Sequence, residues 1–287
     1  MTWTTRPRSE LTSGLTGWRC GENSGVVSGE KGGRECQRPS MVLIHGVGLR
    51  GESWGAMLPH LVPHFEVVVP DLPGHGESPR LADDTELSLC SYTNTMADLL
   101  HQLDRPSIVV GHSLGALIAL DLAVKLPDQV SMVVPLNAIY RRTDAAADAV
   151  KARAAELKQA SLSDPSPTIA RWFGNQPQGN EAQMAHQCRD WLMNVDPDGY
   201  RDAYHVFAHE DGPTNNDLQQ MASPALFITG ANEPNSTPEM SNIMAGLAPL
   251  GRAIVIEDAR HMMPMTHAQE VCGHIRVFHR QMSADHV

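Results

Sequence analysis

Ser113 sits between two glycines in the pentapeptide Gly111-His112-Ser113-Leu114-Gly115. An apolar run, Ser107-Ile108-Val109-Val110, leads into it, and a helix-forming run, Ala116-Leu117-Ile118-Ala119-Leu120, leads out. A strand that turns sharply into a helix needs small residues beside the turn and pushes the central hydroxyl out at the end of a sheet. The same residues suit a plain turn with a helix-capping serine, so the chemical reading depends on partners elsewhere in the chain. A serine hydroxyl is a poor nucleophile at neutral pH. A base must take its proton during attack and return it to the leaving group, while a carboxylate orients that base.

Those partners are sought at strand ends. Ala225-Leu226-Phe227-Ile228-Thr229 reads as a strand, and Gly230-Ala231-Asn232-Glu233-Pro234 follows it, offering Glu233 as the acid. Ala253-Ile254-Val255-Ile256 reads as the last strand, and the loop after it offers His261 as the base. Asp258, close to His261 in sequence, is an alternative acid or a turn residue. The chain holds 14 histidines. His45 and His75 fall in glycine-rich loops where a hydrogen-bonding role is expected, and His112 flanks the nucleophile on a turn whose neighbours point different ways. His205 and His209 are spaced for a metal pair, but no third ligand lies nearby, so no metal site and no cofactor are predicted.

The elements that must position these groups alternate. Met41-Val42-Leu43-Ile44 and Phe65-Glu66-Val67-Val68-Val69 read as buried parallel strands, with a helix over Glu52 to Leu61 between them. A helix over Ser91 to Leu103, the strand before Ser113, a helix over Leu114 to Leu126 and a strand over Val130 to Leu136 continue the pattern. Such alternation predicts a doubly wound, mostly parallel α/β sheet. From Arg141 to about Met221 the strands stop, and helices are expected over Ala145 to Gln159, Ile169 to Phe173, Glu181 to Val195 and Tyr200 to His209. Residues 141–221 therefore read as an inserted helical cap, and 41–140 with 222–287 as the core. Residues 1–40 contain an edge strand at Leu15 to Cys20, followed by a glycine-rich hairpin loop or mobile segment from Gly21 to Arg38.

Bulk properties exclude several classes. The net charge of −11 argues against a general nucleic-acid or anionic-membrane partner. No run of about eighteen apolar residues predicts a membrane span, and the polar N-terminus lacks the apolar core of a secretory signal. The 5 cysteines are scattered without a C-x-x-C pair, as expected of free thiols in a reducing cytoplasm.

Taken together, His45-Gly46-Val47-Gly48, Asp71-Leu72-Pro73-Gly74-His75-Gly76-Glu77-Ser78, the Ser113 pentapeptide, Gly230 to Glu233 and His261 make the chain resemble the α/β-hydrolase superfamily, in its capped, single-domain branch. The resemblance implies an α/β-hydrolase fold, the order nucleophile–acid–base, and an oxyanion hole formed by the backbone N–H groups of Val47 and Leu114. Three features depart from the family's usual pattern. Glu233 stands where Asp is commoner, and the Gly21 to Arg38 loop is long. His112 and Met262 replace the Asn and Trp that flank nucleophile and base in many members cleaving carbon–carbon bonds.

The leading expectation is a serine hydrolase, most like the carboxylic ester hydrolases, cleaving a small ester, thioester or lactone through an acyl-enzyme on Ser113. Trp172, Phe173, Trp191, Tyr204 and Phe207 are candidate lining of the pocket, with Met262 beside the base. Arg189 near Trp191 keeps a second activity in view, hydrolysis of a vinylogous diketone whose carboxylate the arginine would hold. A third possibility, a non-catalytic ligand receptor on the same fold, has no need of a base and an acid. The expected partner is a small acyl substrate, and the sequence does not specify an oligomeric state.

Overall fold

The computed structural model describes residues 8–12, 14–21, 38–81, 87–157 and 164–284. Eight strands form one sheet in the order β1-β2-β4-β3-β5-β6-β7-β8. They are β1 (Ser9–Thr12), β2 (Leu15–Cys20), β3 (Ser40–Ile44), β4 (Glu66–Pro70), β5 (Ser107–His112), β6 (Val130–Leu136), β7 (Ala225–Gly230) and β8 (Gly251–Ile256). The pairs β1–β2 and β2–β4 are antiparallel, and every other neighbouring pair is parallel. β2 is therefore one strand in from the edge, which belongs to β1. The expected glycine-rich loop falls largely outside the described residues.

Because β3 pairs with both β4 and β5, the strand order reverses around it. Such a switch point opens a crevice at the C-terminal ends of the strands, where α/β sheets hold their ligands. Ser113 follows β5 at that point.

Alternation along each strand divides the core. Val42, Ile44, Val68, Val109 and Val133 face one layer, and Met41, Leu43, Val67, Val69, Ile108 and Val110 the other. The first layer is covered by α2 (Leu89–His101), α3 (Leu114–Lys125) and α9 (Pro238–Leu247). The second is covered by α1 (Leu58–Leu61) and α11 (Ala268–Ala284), through Leu58, Leu61, Val271, Ile275 and Phe278. Burial on both faces explains why these strands are apolar runs rather than alternating ones.

One expected helix is broken. The stretch from Glu52 to Leu61 is a 3-10 turn, Gly51–Trp54, followed by the single turn α1. Pro59 lies in the first turn of α1, where a proline is tolerated, whereas inside one continuous helix its ring would clash with the preceding turn. The C-terminal helix expected over His267 to Met282 is present as α11, preceded by the separate single turn α10 (Met263–Thr266).

Between β6 and β7 lie α4 (Asp144–Leu157), α5 (Ser166–Phe173), α6 (Gly179–Asn194), α7 (Pro197–His209) and the unexpected α8 (Asn215–Gln219). Asp196 and Thr214 cap α7 and α8, their side chains accepting first-turn N–H groups. The insertion is tied to the loop after β4. Gly74 and Gly199 pack backbone to backbone, and a Cβ on Gly199 would lie 2.2 Å from the Gly74 carbonyl oxygen. Arg80 binds Asp202 at 2.7 Å and Asp198 at 3.4 Å.

Candidate active site

The turn carrying Ser113 is fixed by backbone contact. A Cβ on Gly111 would fall 2.0 Å from the Gly115 carbonyl oxygen, and one on Gly115 would fall 2.1 Å from that of Ile44. Only glycine fits at either place, which lets α3 start directly against β3. Ser113 itself adopts φ 57°, ψ −117°, a conformation that costs a non-glycine residue on the order of 1–3 kcal/mol and persists only where its surroundings enforce it. Its N–H is held by the Leu136 carbonyl at 3.0 Å.

His261 and Glu233 meet in the crevice. His261 Nδ1 lies 2.7 Å from Glu233 Oε2. A carboxylate can only accept, so Nδ1 carries the proton and Nε2 is the atom free to act as base. Burial alone would raise the Glu233 carboxyl, but the charge and hydrogen bond of His261 and the N–H groups of Asn235 and Ser236 outweigh it and hold the group below its usual value. Asn235 N–H donates to Oε1 at 2.8 Å. Asp258, by contrast, sits exposed in a left-handed turn at φ 59°.

The main chain of His261 is fixed from two sides. Its carbonyl accepts His112 Nε2–H at 2.8 Å and Asn137 Nδ2–H at 2.8 Å. Asn137 Oδ1 in turn lies 3.2 Å from the donor N–H of Gly230. One buried amide thus joins the end of β6, the end of β7 and the loop after β8. The glycine-rich loops hold two more histidines in the expected structural roles. His45 Nε2 accepts Leu72 N–H at 2.9 Å, and His75 Nε2 accepts Gly48 N–H at 3.0 Å, while each Nδ1 faces a backbone carbonyl. Burial pushes His45 and His112 well below the ordinary histidine value and His75 down to about 4. All three are neutral at pH 7.

The two N–H groups after Val47 are committed, that of Gly48 to His75 and that of Leu49 to the Gly46 carbonyl. Leu114 is the first residue of α3, so its N–H has no partner within the helix. Ser113, His261 and Val47 line one cavity of about 60 Å³ with Arg142, Val150, Thr168, Arg171, Trp172, Tyr200, Tyr204, Phe207 and Asn235. A wider depression of about 350 Å³, against Ser40, Glu66 and Arg105, opens at the other end of the sheet and holds none of these groups. The Trp172 ring stacks on that of His261, centroids 5.4 Å apart and planes 23° from parallel.

Four sequence-expected pocket residues, Phe173, Arg189, Trp191 and Met262, do not line this cavity, and Phe173 is buried in the core. The buried stripe of α6 is Ala185, Cys188 and Leu192; at roughly 100° per residue Arg189 and Trp191 fall on its opposite flanks. Arg189 binds Ser166 Oγ at 2.6 Å and faces Asp164 at 3.7 Å, and Trp191 packs against the core. Met262 is buried in the core at the start of α10. Arg142, Arg171 and Asn137 were not legible as site residues, because no motif surrounds them. Among the described residues no group of three or more His, Cys, Asp or Glu is placed to hold a metal, and no helix is long and apolar enough to cross a membrane.

Comparison with known proteins gives the family and the fold. Residues 41–274 match the Alpha/beta hydrolase family. The (E)-2-((N-methylformamido)methylene)succinate hydrolase of Acinetobacter baylyi is 39% identical over 232 residues, 80% of this chain and 86% of that protein. A pimeloyl-[acyl-carrier protein] methyl ester esterase of Methylococcus capsulatus is 28% identical, with 84% of this chain and 94% of the esterase aligned. Among solved structures, the enol-lactonase of Burkholderia xenovorans superposes with a TM-score of 0.80 at 21% identity, covering 95% of this chain and 99% of that one.

Proposed function

Because the chain belongs to the Alpha/beta hydrolase family, we propose that it is a serine hydrolase that cleaves a small ester, thioester or lactone through an acyl-enzyme on Ser113. The observation that carries this reading is the buried His261–Glu233 pair opening onto the same cavity as Ser113. His261 Nε2 takes the hydroxyl proton as Ser113 attacks the carbonyl carbon, and Glu233 stabilises the imidazolium formed. The N–H groups of Val47 and Leu114 receive the developing oxyanion, each worth about 3 kcal/mol of transition-state stabilisation. His261 then protonates the leaving group, and water repeats the sequence to release the acid.

Residues 41–140 and 222–287 act in this proposal as the platform, and 141–221 as a cap that roofs it. The stacking of Trp172 on His261 supports that division. Scattered cysteines support a cytoplasmic enzyme. Burial pushes the Cys272 thiol up to about 12 and that of Cys188 higher still, which favours the serine over either as nucleophile.

A second reading is favoured by one relative. The Acinetobacter enzyme acts, by its name, on a methylene-succinate amide, so the same serine could cleave a bond conjugated to an acidic frame. The carbon–carbon alternative loses its original support, since Arg189 and Trp191 lie off the cavity. Labelling with a fluorophosphonate probe tests the shared premise: Ser113 is expected to be modified in the native protein and Ser113→Ala to stay blank. Labelling that persists in Ser113→Ala would overturn it, and saturable ligand binding without turnover would favour a receptor instead.

A further inference from the structure

Two arginines face the cavity that holds Ser113, and one of them is deeply buried. The Arg142 side chain is 3% exposed. Its Nη2–H donates to the Phe207 carbonyl at 3.1 Å, Nη1–H to that of Glu210, and the guanidinium lies 4.5 Å over the Phe207 ring. These contacts fix the direction of the fork without supplying a full negative charge. The nearest carboxylate, Asp211, is 3.9 Å away, half-exposed, and already accepts the Arg142 backbone N–H at 2.7 Å. Arg171, on α5 and exposed, brings a second positive charge to the same cavity.

A buried cation is costly unless a counter-charge joins it. Here the remaining space beside it is the cavity that opens onto the nucleophile. The two tyrosines of the lining are neutral: burial pushes Tyr200 up to about 12 and Tyr204 also upward, so both phenols are donors at pH 7. The chain as a whole carries −11 and would repel anions, so a positive cavity within it is a local feature that focuses them. Arginine is the side chain suited to this, because its planar fork matches a carboxylate in two parallel hydrogen bonds.

We propose that the substrate is a small acid whose free carboxylate is held by Arg142, with Arg171 favouring a second acidic group nearer the surface. This inference rests on the serine-hydrolase reading for its place beside Ser113, but its binding claim stands apart from turnover. The carboxylate would set which acyl compounds enter the cavity, while Ser113 and His261 would act on a carbonyl elsewhere in the same molecule.

The test is calorimetric binding of succinate and of uncharged succinamide to the full chain, with fluorophosphonate labelling of Ser113 run in parallel. Succinate is expected to bind at least ten-fold more tightly than succinamide. Arg142→Met should erase that preference, and Arg171→Gln should weaken succinate binding several-fold and flatten its salt dependence. If Arg142→Met does not fold, Arg142→Lys keeps the charge without the fork and should bind succinate at least five-fold more weakly. As a kinetic counterpart, monomethyl succinate should have a lower KM than methyl butyrate, with the difference lost in the Arg142 variant. Equal binding of the two probes, no succinate binding by the native chain, or an unchanged preference in the folded Arg142 variant would overturn the proposal. Labelling that succeeds while these fail removes only this inference; labelling that fails while succinate binds removes the serine reading and leaves the carboxylate site.

Discussion

The platform of strand ends and the roof of inserted helices are built by different physics. On the platform, positions are set by backbone against backbone: Gly111 on Gly115, and Gly115 on Ile44, with no room for a Cβ at either contact. Its polar groups are buried and hydrogen-bonded to one another or to backbone, as at His45, His75, His112 and Asn137. The roof is held by side chains. Arg80 reaches Asp198 and Asp202 across partly exposed surface, and Trp172 lies flat on His261. Backbone packing admits few sequences, whereas side-chain packing admits many. The difference fits the proposal that the platform carries the reaction and the roof the choice of substrate.

Substitutions can break or sharpen that division. Ser113→Ala should lose about 10⁶-fold in kcat with the fold intact, by the scale of triad knockouts elsewhere; steady-state rates and circular dichroism check both halves. Glu233→Gln keeps the shape but no longer specifies the Nδ1–H tautomer, and a loss of about 10⁴-fold is expected. Retention of more than a tenth of the rate would show that the pair is structural only.

A pH effect follows from the platform's buried histidines. The fold holds His75 at about 4 against 6.5 for the free side chain, and His45 and His112 well below 6.5. Between 6.5 and about 4 the unfolded chain takes up protons that the fold refuses, so stability falls as pH drops through that window. The slope is about 1.4 kcal/mol per pH unit for each such histidine. His75→Gln should therefore flatten the acid arm of a Tm–pH curve. Glu233, held below 4.5, has the depressed-carboxylate behaviour: its contribution is present above 4.5 and is lost only as pH falls further.

Roof substitutions should be milder and should move KM. Trp172→Ala removes the ring over His261 and leaves a gap, with an expected loss of about 3 kcal/mol of stability if the site cannot collapse and a rise in KM larger than the fall in kcat. Arg80→Ala breaks partly exposed ion pairs and should change Tm little, by an amount equivalent to less than about 1 kcal/mol. A large kcat effect from Arg80→Ala, read in the same assay, would blur the distinction between the two regions.

The same distinction governs what could be read from the sequence. Ser113, His261 and Glu233 were legible because backbone geometry leaves a signature: glycines beside a turn, and a polar residue just past an apolar strand. Val47 and Leu114 came only from the resemblance to the family. The roof leaves no such trace. Arg189 and Trp191 look like a binding pair by spacing, but the stripe of Ala185, Cys188 and Leu192 turns both aside. Arg142 follows β6 without any motif, and its burial depends on carbonyls at Phe207 and Glu210, some sixty-five residues away in the chain. The broken helix at Pro59 was visible as a residue but not as a boundary, because Trp54, Met57 and Leu61 keep helical spacing and are all buried.

The carbonyl of His261 accepts two buried donors from two other strand ends, and that makes the platform epistatic. Groups sharing one acceptor do not contribute independently; removing either donor changes what the other is worth. A double-mutant cycle on His112 and Asn137 should depart from additivity by 0.5 kcal/mol or more. A lineage altering the roof is free to change one residue at a time. One altering the loop after β6 must change it in step with the turn at Ser113 and the loop that carries the base, so new specificities can arise here far more readily than a new arrangement of the reacting groups.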